Sequence, residues 1–295
     1  MTIVESAPGD PASSAGLLFD PLLNVLAAQV DDLEGQRIAS ENRYRILTAT
    51  GVDEDGVRRG LGLPEDHRDV RRIRASLDGL RALEHDAILQ VQRHMRHSVW
   101  GPWLKGATGV GEKQLARLLG AIGDPYWHTR DQRPRIVSEL WAYCGLHTIS
   151  VTSDHSQRDA QRSSVAGDGP TSPGHGSNDT QRSTAGGPHV APRRQRGQRS
   201  NWSEDARKRA WLIATSCVKT PAGSTYRAVY DATREKYADA VHEVPCVRCG
   251  PQGHPAPAGS PLPPAHQHAR ALRAIAKTVL RDLWREAHRL YEAAT

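Results

Sequence analysis

From Leu23 the apolar positions step along the chain by threes and fours: Leu23, Leu26, Val30 and Leu33, then Tyr44 and Leu47. A second series keeps the same spacing at Val70, Ile73, Leu77, Leu80, Ala87, Val91 and Met95. A period near 3.6 places each series on one face of a helix. Residues 51–64, broken by Gly and Pro, separate the two. Residues 20–99 are therefore predicted to form an antiparallel helical hairpin or short coiled coil. Arg37, Ser40, Glu84 and His94 interrupt its seam. No period-two alternation precedes Trp100, so no sheet is expected there. Residues 1–19 begin small and polar and read as a disordered tail.

Helical patterning returns in the second half. Ser203 is a good N-cap, with Glu204 and Asp205 in the first turn, where the helix dipole favours acids. Ala206, Ala210, Ile213, Ala214 and Cys217 share one face of that helix. Tyr226, Val229, Tyr230, Thr233 and Tyr237 mark another helix. The last starts near His266, with Leu272, Ile275, Val279, Leu283, Ala287 and Leu290 inward. Residues 151–192 are almost devoid of large apolar side chains. Such a stretch cannot offset a chain entropy of about 1–2 kcal/mol per ordered residue, and it reads as a disordered insertion. The expectation is an all-α protein whose second domain, residues 100–150 and 193–295, is interrupted by that insertion.

Composition narrows the class. The chain has 295 residues, 39 Lys+Arg against 33 Asp+Glu, and a formal net charge of +6. The longest uncharged apolar run, Ala210 to Val218, falls well short of the ~20 residues of a membrane-spanning helix. No basic segment followed by an apolar stretch opens the chain, so no signal peptide is expected. Four cysteines in this length are not a disulfide framework. A cytoplasmic, basic protein is expected, with nucleic acid as the leading partner class.

Residues 104–125 read LKGATGVGEKQLARLLGAIGDP. Gly109, Val110 and Gly111 form a turn directly before an amphipathic helix carrying Leu115, Leu118, Leu119 and Ile122. An apolar–Gly–apolar–Gly turn followed by a helix looks like a helix-hairpin-helix element. Its glycines let a phosphate approach the backbone, and the free amides of the helix N-terminus bind the anion. Lys113 in the first turn would add a charged contact. Such an element reads the backbone and not base edges, so binding would be independent of sequence. A tight turn between two packed helices is the alternative.

PRIVSELWAYCGL (residues 134–146) follows, then RGQRSNWSEDARKRAWLIATSCVK (196–219), YRAVYDATREKYA (226–238) and HARALRAIAKTVLRDLWR (268–285). In this order the blocks resemble the C-terminal domain of the DEDD-type, bridge-RNA-guided insertion-sequence transposases, the insertion-sequence one-ten family. The resemblance covers roughly residues 100–291 without the insertion. It implies DNA binding, a role in transposition and recombination, a guide RNA among the partners and a nucleoid-associated place in the cytoplasm. Two features depart from the family. Its acidic metal-binding tetrad lies in a ribonuclease-H-like domain, whereas Asp31, Asp32 and Glu34 here fall on a predicted helix with no sheet to gather them. Its nucleophilic serine follows the G-L motif, where this chain enters the insertion. Ser150 and Ser153 are near but align with neither certainty nor motif. Catalytic residues thus stay unassigned, and whether the chain is an enzyme stays open.

Arg193, Arg194, Arg196 and Arg199 precede the Arg207–Lys208–Arg209 helix start, and both groups suit phosphate contact. Arg270, Arg273, Lys277, Arg281, Arg285 and Arg289 recur along the last helix opposite its apolar face, either for phosphates or as a solvated stripe. Trp202 and Trp211 are candidates for base stacking or for core. Cys246, Cys249 and His254 have the opening spacing of a zinc knuckle. Gly259 stands where the fourth ligand belongs, and His266 or His268 is the substitute. Cys144 and Cys217 lie on apolar faces and are expected to be buried.

The leading expectation is a transposase-like DNA-binding protein that is not catalytically autonomous. A domesticated or accessory DNA-binding module is the alternative. A helix-hairpin-helix glycosylase, with Asp131 or Glu139 in a base-sized pocket, is the third reading. Self-association through the N-terminal helices is a further expectation.

Overall fold

The computed structural model describes residues 16–150, 189–194, 197, 199–251 and 254–294. Its elements are α-helical apart from two antiparallel two-residue pairs. No helix of the described residues is long and apolar enough to cross a membrane.

Helices α1 (Pro21–Thr48) and α2 (Arg68–His97) form the antiparallel hairpin that the apolar spacing predicts. Asp20 caps α1 by accepting from the Leu23 amide (2.9 Å), and its other carboxylate oxygen meets His94 Nε2 on α2. Leu23, Ala27 and Val30 are buried on α1, and Val70, Leu77, Ala87, Val91 and Met95 on α2. Two of the polar interruptions of the seam, Arg37 and Glu84, meet each other. The Arg37 guanidinium bonds the buried Glu84 carboxylate across the hairpin and Glu41 on its own helix, and Arg81 also pairs with Glu41.

The hairpin's base packs on α4 (Glu112–Ile122), which follows the short α3 (Gly101–Gly106). Behind α4 lies α6 (Glu204–Val218), capped by Ser203 and buried along Ala206, Ala210, Ile213, Ala214 and Cys217. The long α8 (Pro264–Ala294) closes the core through Leu272, Ile275, Val279, Leu280, Leu283 and Ala287. It packs against α5 (Val137–Tyr143), α6 and α7 (Thr225–Lys236). Cys144 and Cys217 are fully buried, and burial pushes their thiols up to about 12 and about 11.

Two boundaries differ from the sequence expectation. Residues 17–19 are not tail: Leu18 is buried, and its amide donates to Asp124 Oδ2 (3.1 Å). Asp124, itself 1% exposed, also accepts from the amides of Tyr126 and Trp127 and from the Tyr291 hydroxyl. One carboxylate thereby ties the segment before α1 to the end of α8, a long-range contact that local composition does not announce. Second, the interval read as insertion ends earlier than residue 192. β3 (Ile149–Ser150) pairs with β4 (His189–Val190), and Pro192 is buried. Backbone pairing needs no large apolar side chain, so composition alone misplaces this edge. The other pair joins β1 (Trp127–His128) to β2 (Arg133–Pro134). Residues 1–15 and 151–188 lie outside the described residues.

Candidate functional site

The turn between α3 and α4 separates its two glycines. Gly109 has φ +93°, and a Cβ there would lie 2.9 Å from Cys217 Cα. It is glycine because the turn presses against the end of α6. Val110 is buried beneath the turn. Gly111, the N-cap of α4, faces open space, and its neighbours Val110 and Glu112 line a shallow pocket with the exposed Arg96 and Lys105. Lys113 does not point outward. Its ammonium lies 3.7 Å from Glu34 and 3.8 Å from Glu84.

Lys113 is the rim of a larger ion network. Arg117 and Arg209, each 4% exposed, both bond Asp31 on α1; Arg117 also reaches Glu34 and Arg209 reaches Asp205. Burial pushes the Glu34 carboxyl up, but Arg117, Lys113 and Arg209 together hold it below the ordinary glutamate value. Asp31 and Glu34 are thus neutralised by arginines, and Asp32 is exposed. Arg209, expected at a phosphate, is instead a buried clamp between the hairpin and the body. It lies on the inward face of α6 one turn from Ala206, so helical position overrides its membership of a basic run.

The remaining expected cations divide. Arg193, Arg199 and Lys208 are exposed; Arg194 pairs with Glu204 at 2.9 Å. Arg196 and Ser153 lie outside the described residues, and Ser150 is on β3. Asp131 and Glu139 both pair with Arg133 at the surface, and Glu139 also accepts from the Ile136 amide at the start of α5. These contacts give both acids structural partners.

The chain from residue 240 to α8 gathers His242, Cys246, Cys249 and His266, whose donor atoms all lie within 4.8 Å of one another. This cluster can hold a metal ion such as zinc. The sulfurs are 3.7 Å apart, and the His266 Nδ1 is 3.9 Å from Cys246 Sγ and 3.2 Å from Cys249 Sγ. Two thiolates ~2.3 Å from a tetrahedral zinc stand about 3.8 Å apart, and a thiolate and an imidazole nitrogen about 3.6 Å. His242 supplies the most telling atom. It is 3% exposed, its Nδ1 bonds the Ser260 carbonyl (3.0 Å), and its buried Nε2 has no partner. A carbonyl on one ring nitrogen fixes the tautomer that offers the other as a ligand. Burial, then Arg270, His242 and Arg248, hold His266 below the usual histidine range, which favours the neutral, ligating form.

His254 is not part of this cluster. The chain turns back after Cys249 so that Cys246 pairs with Ala256, carrying residue 254 around the turn and away. His266, not His268, takes the substitute position; His268 bonds the Tyr230 hydroxyl. His242 precedes the cysteines, and a knuckle spacing read only downstream passes over it. The pattern His-x3-Cys-x2-Cys was the available signal. Gly259, with φ +81°, shapes the turn whose Ser260 buttresses His242.

Beside the cluster lies a set of cations from three elements: Arg207 on α6, Arg248 between the two cysteines, and Arg270, Arg273 and Lys277 on α8. None has a carboxylate within 4 Å among the described residues. Burial first, then Arg207, Arg248 and Arg270, bring Arg273 down to about 10, so it stays charged at neutral pH. Lys277 is lowered by burial and by Arg273. Arg207 stands over the Trp202 ring (5.7 Å), Arg270 over Tyr237 (4.8 Å) and Lys277 over Trp141 (4.1 Å). Trp202 itself lies against Gly145, φ +62°, where a Cβ would come within 2.6 Å of the indole. Trp211 remains partly exposed on α6.

Comparison with protein-family models, with curated proteins and with solved structures found no match to this chain.

Proposed function

We propose that the protein is a non-catalytic DNA-binding module of transposition or recombination, stabilised by zinc and engaging the phosphate backbone through Arg207, Arg248, Arg270, Arg273 and Lys277. The observation that carries this reading is the absence of carboxylate partners around those five cations among the described residues. Like charges drawn together this closely destabilise the free protein and are relieved by a polyanion. Binding of this type releases counterions and reads little sequence. The order of the sequence blocks, similar to that of the insertion-sequence one-ten transposases, supplies the biological setting and the possibility of a guide RNA partner.

The non-catalytic part rests on the acids. Asp31 and Glu34 are occupied by Arg117 and Arg209, and Asp131 and Glu139 by Arg133. Zinc at His242, Cys246, Cys249 and His266 would be four-coordinate and closed, the form of a structural site. It would hold Arg248 against the start of α8.

The test is fluorescence anisotropy with labelled DNA over a salt series, together with a nicking assay in Mg²⁺ or Mn²⁺. Binding whose logarithm falls linearly with log salt, without strand cleavage, is the expected result. Binding independent of salt, or a covalent protein–DNA adduct formed by this chain alone, overturns the reading.

A further inference from the structure

Arg273 is recessed on α8 among four other cations and has no hydrogen-bond acceptor among the described residues. A partly desolvated guanidinium in that state lacks the anion its five N–H groups would bind. We infer that Arg273 seats a phosphate of an unpaired nucleic-acid strand, with Arg207, Arg270 and Lys277 flanking it. The inference rests on the DNA-binding reading above and narrows it to the form of nucleic acid.

Three observations favour a single strand over a duplex. The first is the depth of the central cation. A duplex is a stiff cylinder whose phosphates lie on its outside, suited to exposed cations such as Arg248 and Lys208. A flexible strand can lower one phosphate between the flanking side chains onto Arg273. The second is direction: the cations flanking Arg273 come from two packed helices, Arg207 from α6 and Arg270 and Lys277 from α8, so a strand on Arg273 meets charge from more than one element. The third is the pairing of charge with rings. Arg207 and Arg270 each lie over an aromatic ring, Trp202 and Tyr237. A guanidinium backed by a ring on one side presents its other plane outward, and an unpaired base can stack on such a plane. A duplex keeps its bases stacked within itself and gains nothing from such surfaces.

The experiment compares a labelled DNA strand of about 20 nucleotides, an RNA strand of the same sequence and the corresponding DNA duplex, all with the full chain. Arg273→Ala and Arg273→Lys are the variants, with Arg285→Ala as control, at an exposed residue in the last third of α8 that pairs with Asp282. The expected result is that at least one single strand binds about tenfold or more tighter than the duplex. Arg273→Ala then weakens that strand about tenfold and reduces its log–log salt slope by about 0.7, the share of one single-strand phosphate. Arg273→Lys, which preserves the charge but not the fork, falls between, and Arg285→Ala matches the parent. Melting curves equal to the parent's show that the variants fold. Should Arg273→Ala not fold, Arg273→Lys and the strand preference of the parent decide. Tighter duplex binding, or an Arg273 variant that folds and binds the strand as the parent does, overturns the inference and leaves the DNA-binding reading standing. Failure of all three nucleic acids to bind removes both.

Discussion

Helix α6 carries arginines of two kinds, two residues apart. Arg209 faces inward and is held by Asp31 and Asp205; Arg207 faces the α8 side and has no carboxylate within 4 Å among the described residues. The contrast extends to their surroundings. At the junction of the hairpin with α4, Lys113, Arg117 and Arg209 are balanced by Asp31, Glu34 and Glu84. Near the metal-ligand cluster, Arg207, Arg248, Arg270, Arg273 and Lys277 have no carboxylate within 4 Å among the described residues, Glu204 acting on Arg207 only from farther off. Net charge treats the two sets alike. What separates them is whether the fold supplies the counter-charge, as at a junction, or leaves it to a partner.

Metal removal should disturb the second region most. Protein purified without chelator is expected to hold about one zinc per chain, and Cys249→Ser or His242→Ala to hold none. DNA binding falls with the metal because Arg248 and the start of α8 lose their anchor. His254→Ala should retain the metal; loss of zinc there, with retention in His242→Ala, would reverse the ligand assignment. Atomic absorption and anisotropy read both.

Next in size are the paired arginines. Arg117→Ala or Arg209→Ala takes from Asp31 one of its two guanidinium partners at a junction and should cost about 2–3 kcal/mol in urea unfolding. Any change in DNA affinity should follow the fraction folded. An Arg209 variant that folds as well as the parent yet binds DNA about tenfold less would erase the distinction between the two regions.

Gly109→Ala is expected to cost about 1–3 kcal/mol, from its positive φ and the approach to Cys217. Gly111→Ala, in open space with φ −85°, should cost at most the few tenths of an N-cap change. Equal effects would mean that both glycines serve the same purpose.

Arg273→Leu should leave the free protein as stable or more stable, by up to about 1 kcal/mol, because it removes an unpaired charge. A clear destabilisation would show that Arg273 has a structural partner.

The smallest effect is a pH dependence at the junction. Glu34 titrates lower folded than unfolded, so its contribution is present above the ordinary value of 4.5 and is lost as pH falls through the lower folded value. Acid unfolding should shift towards neutral pH in Arg117→Ala, and an unmoved midpoint would remove Glu34 from the network.

Much of the helical framework was legible in the sequence, because it rests on local periodicity and capping. Ala206, Ala210, Ile213, Ala214 and Cys217 are buried as their spacing implies, and Ser203 is the cap. The polar interruptions Arg37 and Glu84 were visible too, but not that they answer each other across the hairpin. Of the metal ligands, Cys246 and Cys249 stand out by spacing and His266 by proximity. His242 is recruited by a turn through Ser260 that no local pattern encodes. Arg209 was misread for a related reason. Its neighbours in sequence are basic, whereas its neighbours in space are acidic.

The β3–β4 ladder has a practical consequence. Ile149 pairs with Val190 and Ser150 with His189, so the chain leaves and re-enters the body at points only about 5 Å apart. The ladder therefore fixes the short distance that any connecting stretch has to close. A two-residue Asn-Gly link between Ser150 and His189 would satisfy the same hairpin geometry. Lengthening the intervening stretch raises the closure cost only logarithmically. This position is therefore the place to cut and rejoin the chain: a version joined there by the short link meets the described framework at one pair of neighbouring residues, and its melting curve reads how much of the fold the ladder and helices hold by themselves.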